Sequence, residues 1–318
     1  MSSALLPAST SAWDQYWQDG RLASCGGEGG TNYQPAITEG WRRFFDALTD
    51  GAHVLDICTG NGAVARLAAE VASVRNLKVT IEAVDSATIN PTRLGLGADM
   101  IRFSSRTPAE NLPFPDATFD VVVGQYAIEY TDLERTMAEL RRVSRQTADI
   151  RFVTHAVSGI VVQEAKRQLA DVERLTGTGI FESAEALVKS STDLTATGLN
   201  DTRRNFQNAL QALHDATTGA MDLTMYRNVG AVIAHAIQHL PQVGAAAVLA
   251  KIRETATSVR SHEARLSSMS RAALDAAAAE ALRVLAERLW SKSFKVDALV
   301  RSDGAVFGWV LASGEKES

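Results

Sequence analysis

The sequence encodes an α/β protein with a doubly wound, mostly parallel sheet, on three observations. Short apolar runs alternate with amphipathic helical stretches from His53 to His155, the pace at which crossover helices join parallel strands. The first run enters its helix through a glycine-containing turn. From 157 to 290 the alternation stops, and it resumes as a hairpin near the end of the chain.

Taken in order, residues 1–35 read as irregular, with Trp13, Tyr16 and Trp17 ahead of the flexible run Gly26-Gly27-Glu28-Gly29-Gly30. Ile37, Trp41, Phe44, Phe45 and Leu48 recur at helical spacing. His53–Ile57 is a short buried strand, and Val64, Leu67, Ala68 and Val71 share one face of the next helix. Lys78–Val84, Met100–Phe103 and Phe119–Gly124 are the second, third and fourth strands. Thr131 and Glu134 have capping-box spacing and open a helix carrying Leu133, Met137 and Leu140, and Ile150–His155 is the fifth strand.

The stretch 157–290 reads as five or six helices. Val161, Ala165, Leu169 and Val172 make one face; Tyr226, Val229, Ile233, Ile237 and Leu240 a second; Leu274, Ala278, Ala281, Leu282, Leu285 and Leu289 a third. Thr-Gly pairs at 176–177, 178–179, 197–198 and 218–219 are placed as glycine C-caps. Phe294, Val296, Ala298 and Val300 then alternate with polar residues, Ser302-Asp303-Gly304 turns the chain, and 305–311 returns. The expected organisation is an N-terminal lid segment, 1–35; a core, 36–158 and 291–318; and a helical cap, 159–290, inserted between strands five and six.

Composition narrows the class. The chain has 318 residues, 32 basic against 37 acidic, for a net charge of −5, with 46% hydrophobic and 22% charged residues. That is ordinary for a soluble globular protein and argues against disorder. It lacks the positive field of a general nucleic-acid binder, so no nucleic acid is expected. No run approaches the roughly 18 apolar residues of a membrane span. The first basic residue is Arg21, a poor start for a secretory signal. Two cysteines, Cys25 and Cys58, are too few for a disulfide scaffold, and both read as unreactive. A cytoplasmic protein is the expectation.

The chemistry concentrates at the first strand. Val54-Leu55-Asp56-Ile57-Cys58-Thr59-Gly60-Asn61-Gly62 joins a buried strand to a helix through a turn that lets backbone approach a ligand. Asp85, at the end of the second strand, is placed to bind ribose hydroxyls. Gly60-x-Gly62-x-x-Ala65 also fits a nicotinamide-dinucleotide fingerprint. Asp56 weighs against that alternative, since a carboxylate beside the turn repels a pyrophosphate and suits a cationic amino-acid ligand.

These residues, with Ala109-Glu110-Asn111-Leu112-Pro113-Phe114-Pro115-Asp116 running into Phe119-Asp120-Val121-Val122, resemble the class I S-adenosylmethionine-dependent methyltransferases. The resemblance implies a seven-stranded, Rossmann-like sheet with an antiparallel last strand and S-adenosyl-L-methionine as cofactor. It implies Gly60 and Gly62 bordering the methionine part, Asp56 near its amino group, and Asp85 on the ribose. It puts Ser86, Ala109 and Glu110 by the adenine, and Gly124 and Gln125 on the methyl-transfer side. Cys58 replaces the first glycine of the family's trio, a modest change if its φ is negative. Pro108 stands where many members carry an aspartate for the adenine amine.

Methyl transfer needs alignment and exclusion of water, and a base only for an acceptor that holds its proton. The carboxyl edges of strands four and five offer Tyr126, Glu129 and Tyr130 as pocket residues and His155 as base, with a hydrogen-bonded structural histidine as the other reading. The loop Gly124-Gln125-Tyr126-Ala127-Ile128 lacks the Asn/Asp-Pro-Pro-aromatic motif of enzymes that methylate exocyclic amines. His235 and His239 lie four apart but have no third ligand, so no metal is expected. The reading is methyl transfer to a small-molecule acceptor, with the inserted helices walling its pocket and offering a face for a homodimer. The alternatives are an NAD(P)-dependent oxidoreductase and a non-catalytic S-adenosylmethionine-binding protein.

Overall fold

The structure is a computed structural model that describes residues 10–25, 32–92, 95–192 and 198–314. Seven strands form one sheet: β1 (His53–Ile57), β2 (Thr80–Val84), β3 (Ile101–Ser104), β4 (Phe119–Gln125), β5 (Ser144–His155), β6 (Phe294–Val300) and β7 (Val306–Ser313). Their order is β3-β2-β1-β4-β5-β7-β6. Pairings among β1 to β5 are all parallel, whereas β7 runs antiparallel to both β5 and β6. The order reverses between β1 and β4, and such a switch point opens a crevice at the carboxyl ends of its strands.

Helices cover both faces. On one, α2 (Pro35–Phe45) and α3 (Ala63–Val74) bury Trp41, Phe45, Leu67 and Ala68 against Val54, Ile81 and Val123. On the other, α4 (Leu133–Val143) and the last helix, α10 (Ala276–Trp290), bury Met137, Leu140, Leu282, Ala286 and Trp290 against Leu55, Val122 and Phe152. Apolar residues point both ways from β1 and β4, which is why these strands read as continuous hydrophobic runs. The fully buried Trp290 satisfies its Nε1–H on Ser144 Oγ at 2.9 Å.

The chain divides into two compact units, residues 1–163 with 268–318, and residues 164–267. The sheet and α10 belong to the first. Six helices follow β5 among the described residues: α5 (Ile160–Thr176), α6 (Ile180–Thr192), α7 (Leu199–Asp215), α8 (Leu223–Gln238), α9 (Leu240–Ala272, broken at Gly244) and α10. Within the second unit Asp171, 1% exposed, accepts the backbone N–H groups of Met221 and Asp222 and pairs with Arg174, and the Tyr226 hydroxyl donates to its carbonyl.

Three local expectations change. Residues 10–18 form a helix, α1 (Thr10–Gln18), in the segment read as irregular. The glycine run 26–30 lies outside the described residues. Helix α4 is capped by Asp132, which accepts from Arg135 N at 3.3 Å, while Thr131 turns its hydroxyl back to the Ile128 carbonyl. Gly198 stands at the N-cap of α7 and so closes no helix there; its partner Thr197 lies outside the described residues.

Candidate functional site

A cavity of about 230 Å³ opens at the carboxyl ends of β1, β2 and β4. Cys58 and Thr59 reach it from the turn after β1, Asp85 and Ser86 from the end of β2, and Pro108, Ala109 and Glu110 from the loop before β4. Gln125, Tyr126, Ala127, Tyr130 and Thr131 come from the end of β4 and the turn beyond it. Trp13 and Trp17 on α1, with Ser24 and Tyr33, complete the wall.

The turn is held by buried carboxylates. Asp56 accepts the Thr59 hydroxyl at 2.6 Å and the Ala65 N–H at 3.1 Å on one oxygen, tying the strand to the first turn of α3. Burial raises its pKa to about 7 against those bonds. Asp85 accepts Gly60 N–H and Ala87 N–H, both at 2.8 Å, and burial carries it to about 6. Gly60 (φ +56°) lies under the Trp17 ring, and a Cβ there would sit 2.5 Å from it. Gly62 (φ +87°) caps α3 beneath Phe103. Cys58 has φ +48°, so the condition attached to its replacement of glycine is not met: it occupies the left-handed region with a side chain. Tyr126, at φ +53°, does the same.

Helix α1 is fastened over the turn. Asn61 Nδ2 donates to the carbonyls of Trp17 (2.9 Å) and Arg21 (2.7 Å), and Asp14 accepts Thr88 N–H at 2.6 Å. Gln125 is fixed from behind by the Trp41 indole, whose N–H donates to Oε1 at 2.7 Å. Its Nε2 is buried with no hydrogen-bond partner among the described residues.

Of the residues expected at the site, Asp85, Ser86, Ala109, Glu110, Gln125, Tyr126 and Tyr130 share the cavity wall. Asp56, Gly60 and Gly62 shape the turn behind it, and Gly124 packs against Ile57 and Phe152. Glu129 and His155 lie one layer back: His155 is fully buried under the stacked Tyr126 ring, 3.9 Å between centroids. The histidine therefore does not face the cavity as a base. Trp13, Trp17 and Tyr33, in the segment expected to form a lid, also line the cavity; the spacing of Trp13 and Trp17 with Tyr16 is that of a helix face. Ser24, Thr59 and Thr131 carried no signal. His235 and His239 stack at 4.1 Å in the second unit, and no cluster of three or more metal-ligating side chains exists among the described residues.

Residues 55–152 match the family model described as methyltransferase domain. That match likens this part of the chain to a methyltransferase domain. A methyltransferase of Bacillus subtilis (strain 168), YcgJ, described as uncharacterized, is 37% identical over 60 residues, or 19% of this chain and 23% of that protein. The chain thus spans under a quarter of the curated relative's length. Solved structures that match include a putative methyltransferase from Bacillus halodurans, at 22% identity over 37% of this chain and 51% of that one, TM-score 0.31. Another is an S-adenosylmethionine-dependent methyltransferase from Aquifex aeolicus, at 18% identity over 39% and 69%, TM-score 0.32. The glycine turn and the acid ending β2 fall within the residues that match the methyltransferase model, which weighs against the nicotinamide reading of Gly60-x-Gly62-x-x-Ala65. No described helix is long and apolar enough to cross a membrane.

Proposed function

We propose that the protein transfers a methyl group from S-adenosyl-L-methionine to a small-molecule acceptor at this cavity, by in-line displacement with positioning and exclusion of water. The observation that carries the reading is the single cavity wall joining Asp85 and Ser86 at the end of β2 to Gln125 at the end of β4. The residues suit the cofactor's two ends. Asp85 keeps lone pairs free for ribose hydroxyls beside its two backbone bonds. The Gln125 amide, locked by Trp41, aims an unpartnered buried donor that a carboxylate would satisfy.

When bound, the cofactor supplies a methyl group already activated by its sulfonium. The chain's part is then to hold and to desolvate: Trp13, Trp17, Tyr126 and Tyr130 give aromatic walls that keep water out and orient an acceptor. His155 acts as a positioning residue, setting the Tyr126 ring. A small acceptor is favoured by the aromatic, enclosed wall and by the absence of a net positive charge.

Calorimetry with S-adenosylhomocysteine tests the cofactor half, and no heat of binding would rule the reading out. Gln125→Glu keeps an acceptor for Trp41 but turns the donor into a charge, so affinity should fall at least about tenfold with the melting temperature little changed. Binding should also weaken as pH drops through about 6, where Asp85 gains a proton and ceases to be a charged acceptor. Transfer of a labelled methyl group to any acceptor would separate an enzyme from a non-catalytic binder.

A further inference from the structure

Behind the cavity wall three side chains stand in line, and methyl transfer as proposed uses none of them as a reacting group. Cys25 Sγ lies 3.8 Å from His155 Nε2, and His155 Nδ1 lies 2.8 Å from Glu129 Oε1. The same Glu129 oxygen accepts the His155 backbone N–H at 2.8 Å. That oxygen is an acceptor for both, so Nδ1 carries the hydrogen and Nε2 presents a lone pair to the thiol. The ring is clamped by Tyr126, stacked at 3.9 Å, and by Tyr130, edge-on at 5.8 Å. Burial alone would make the imidazolium harder to form, but the bonds to Cys25 and Glu129 outweigh it and raise His155 to about 9. The same contacts favour the imidazolium, the form that hands a proton to a leaving thiolate. At Cys58 burial, then the charges of Asp85, Glu110, Glu129 and Asp56, push the thiol well up.

Nucleophile, base and orienting carboxylate in hydrogen-bond sequence is the arrangement that activates a thiol. We propose that Cys25, activated by His155 and Glu129, is a thiol–disulfide exchange site that takes up a small disulfide as a mixed disulfide. Exchange needs only a nucleophile and a proton donor for the leaving group, and one imidazole supplies both roles. His155 Nε2 takes the Cys25 proton, Sγ attacks one sulfur of R–S–S–R, and a new S–S bond forms as the old one breaks. The departing thiolate takes the proton back from Nε2 and leaves as R–SH. Cys25 is oxidised and half of the small disulfide is reduced. The adduct would adjoin Ser24, bonded to the Tyr33 hydroxyl at 3.3 Å, and Tyr33 packs edge-on to Tyr126 at 5.9 Å. All three line the cavity, so the adduct lowers cofactor affinity. That consequence alone rests on the proposed function.

The native full-length protein is incubated at pH 7 with bis(2-hydroxyethyl) disulfide, and adducts are mapped by mass spectrometry. The expected result is one adduct, on Cys25, forming at least about tenfold faster than on a free aliphatic thiol under the same conditions. His155→Gln should slow it about tenfold and Glu129→Gln by a smaller factor, with circular dichroism checking the fold. Exchange at Cys25 no faster than on the free thiol in the unaltered protein overturns the proposal, as does equal labelling of Cys58. S-adenosylhomocysteine calorimetry on the adduct should show at least about fivefold weaker binding, and unchanged affinity overturns the coupling. A protein that exchanges fast but never binds S-adenosylhomocysteine sinks the methyl-transfer reading and leaves the exchange site standing.

Discussion

Cys58 and Tyr126 both hold the left-handed backbone with side chains attached, and both line the cavity. A non-glycine residue there costs about 1–2 kcal/mol, and such strain gathers where a site over-determines the backbone. At an ordinary position Gly is less stable than Ala by roughly 0.5–1 kcal/mol. At 58 that order should reverse: Cys58→Gly is expected to melt above Cys58→Ala, by about 1 kcal/mol in denaturant titration. Asp56 has a pH signature. Its folded pKa of about 7 lies above the ordinary 3.8, so from about pH 4 to 7 the folded state keeps a proton that the unfolded chain has lost. Its contribution is full below pH 4 and is lost as pH rises through 7, at about 1.4 kcal/mol per pKa unit. Asp56→Asn, which retains an acceptor for Thr59 and Ala65, should flatten the fall in melting temperature between about pH 4 and 7. The sequence placed Asp56 beside a ligand because an acid precedes the glycine turn. Nothing in a one-dimensional pattern says that the Thr59 hydroxyl and the Ala65 amide already occupy it.

At the scale of elements, apolar periodicity located the strands well, because β1 and β4 are buried on both faces and leave unbroken hydrophobic runs. Ends were harder. The capping box at Thr131 lost to Asp132 one residue on, where the chain turns at Ile128–Tyr130 and takes the Thr131 hydroxyl for itself. Asp132→Ala is therefore expected to cost about 1 kcal/mol, measured by chemical denaturation, and Thr131→Ala less. Helix α10 shows a different limit. Its stripe of Leu282, Leu285 and Leu289 was legible as a helical face, yet periodicity names no partner, and that face packs on the sheet with α4. Cys25 and His155 stand 130 positions apart, so their contact had no local trace at all.

For the whole molecule, the two cores that sandwich the sheet contain no residue from 164–267. Replacing that stretch with a short Gly/Ser linker should leave a folded domain that still binds S-adenosylhomocysteine. Circular dichroism and calorimetry check this, and loss of both fold and binding would show that the units depend on each other. The overall topology was readable because the alternation of strands and helices stops at one place and resumes at another. What the inserted helices do was not, since helical faces made of alanine, valine and leucine spell packing and no chemistry.

The position of β7 has a consequence for synthesis. Its partner on the sheet is β5, and roughly 150 residues separate His155 from Val306. At ~5–20 residues per second the ribosome needs about 8 to 30 seconds to deliver it. Through that interval β5 is an open edge, its backbone groups unclaimed and ready to pair with another nascent chain. Rapid translation of the helical stretch, or a chaperone that shields an exposed strand, should therefore decide how much of this protein is recovered unaggregated from a cell.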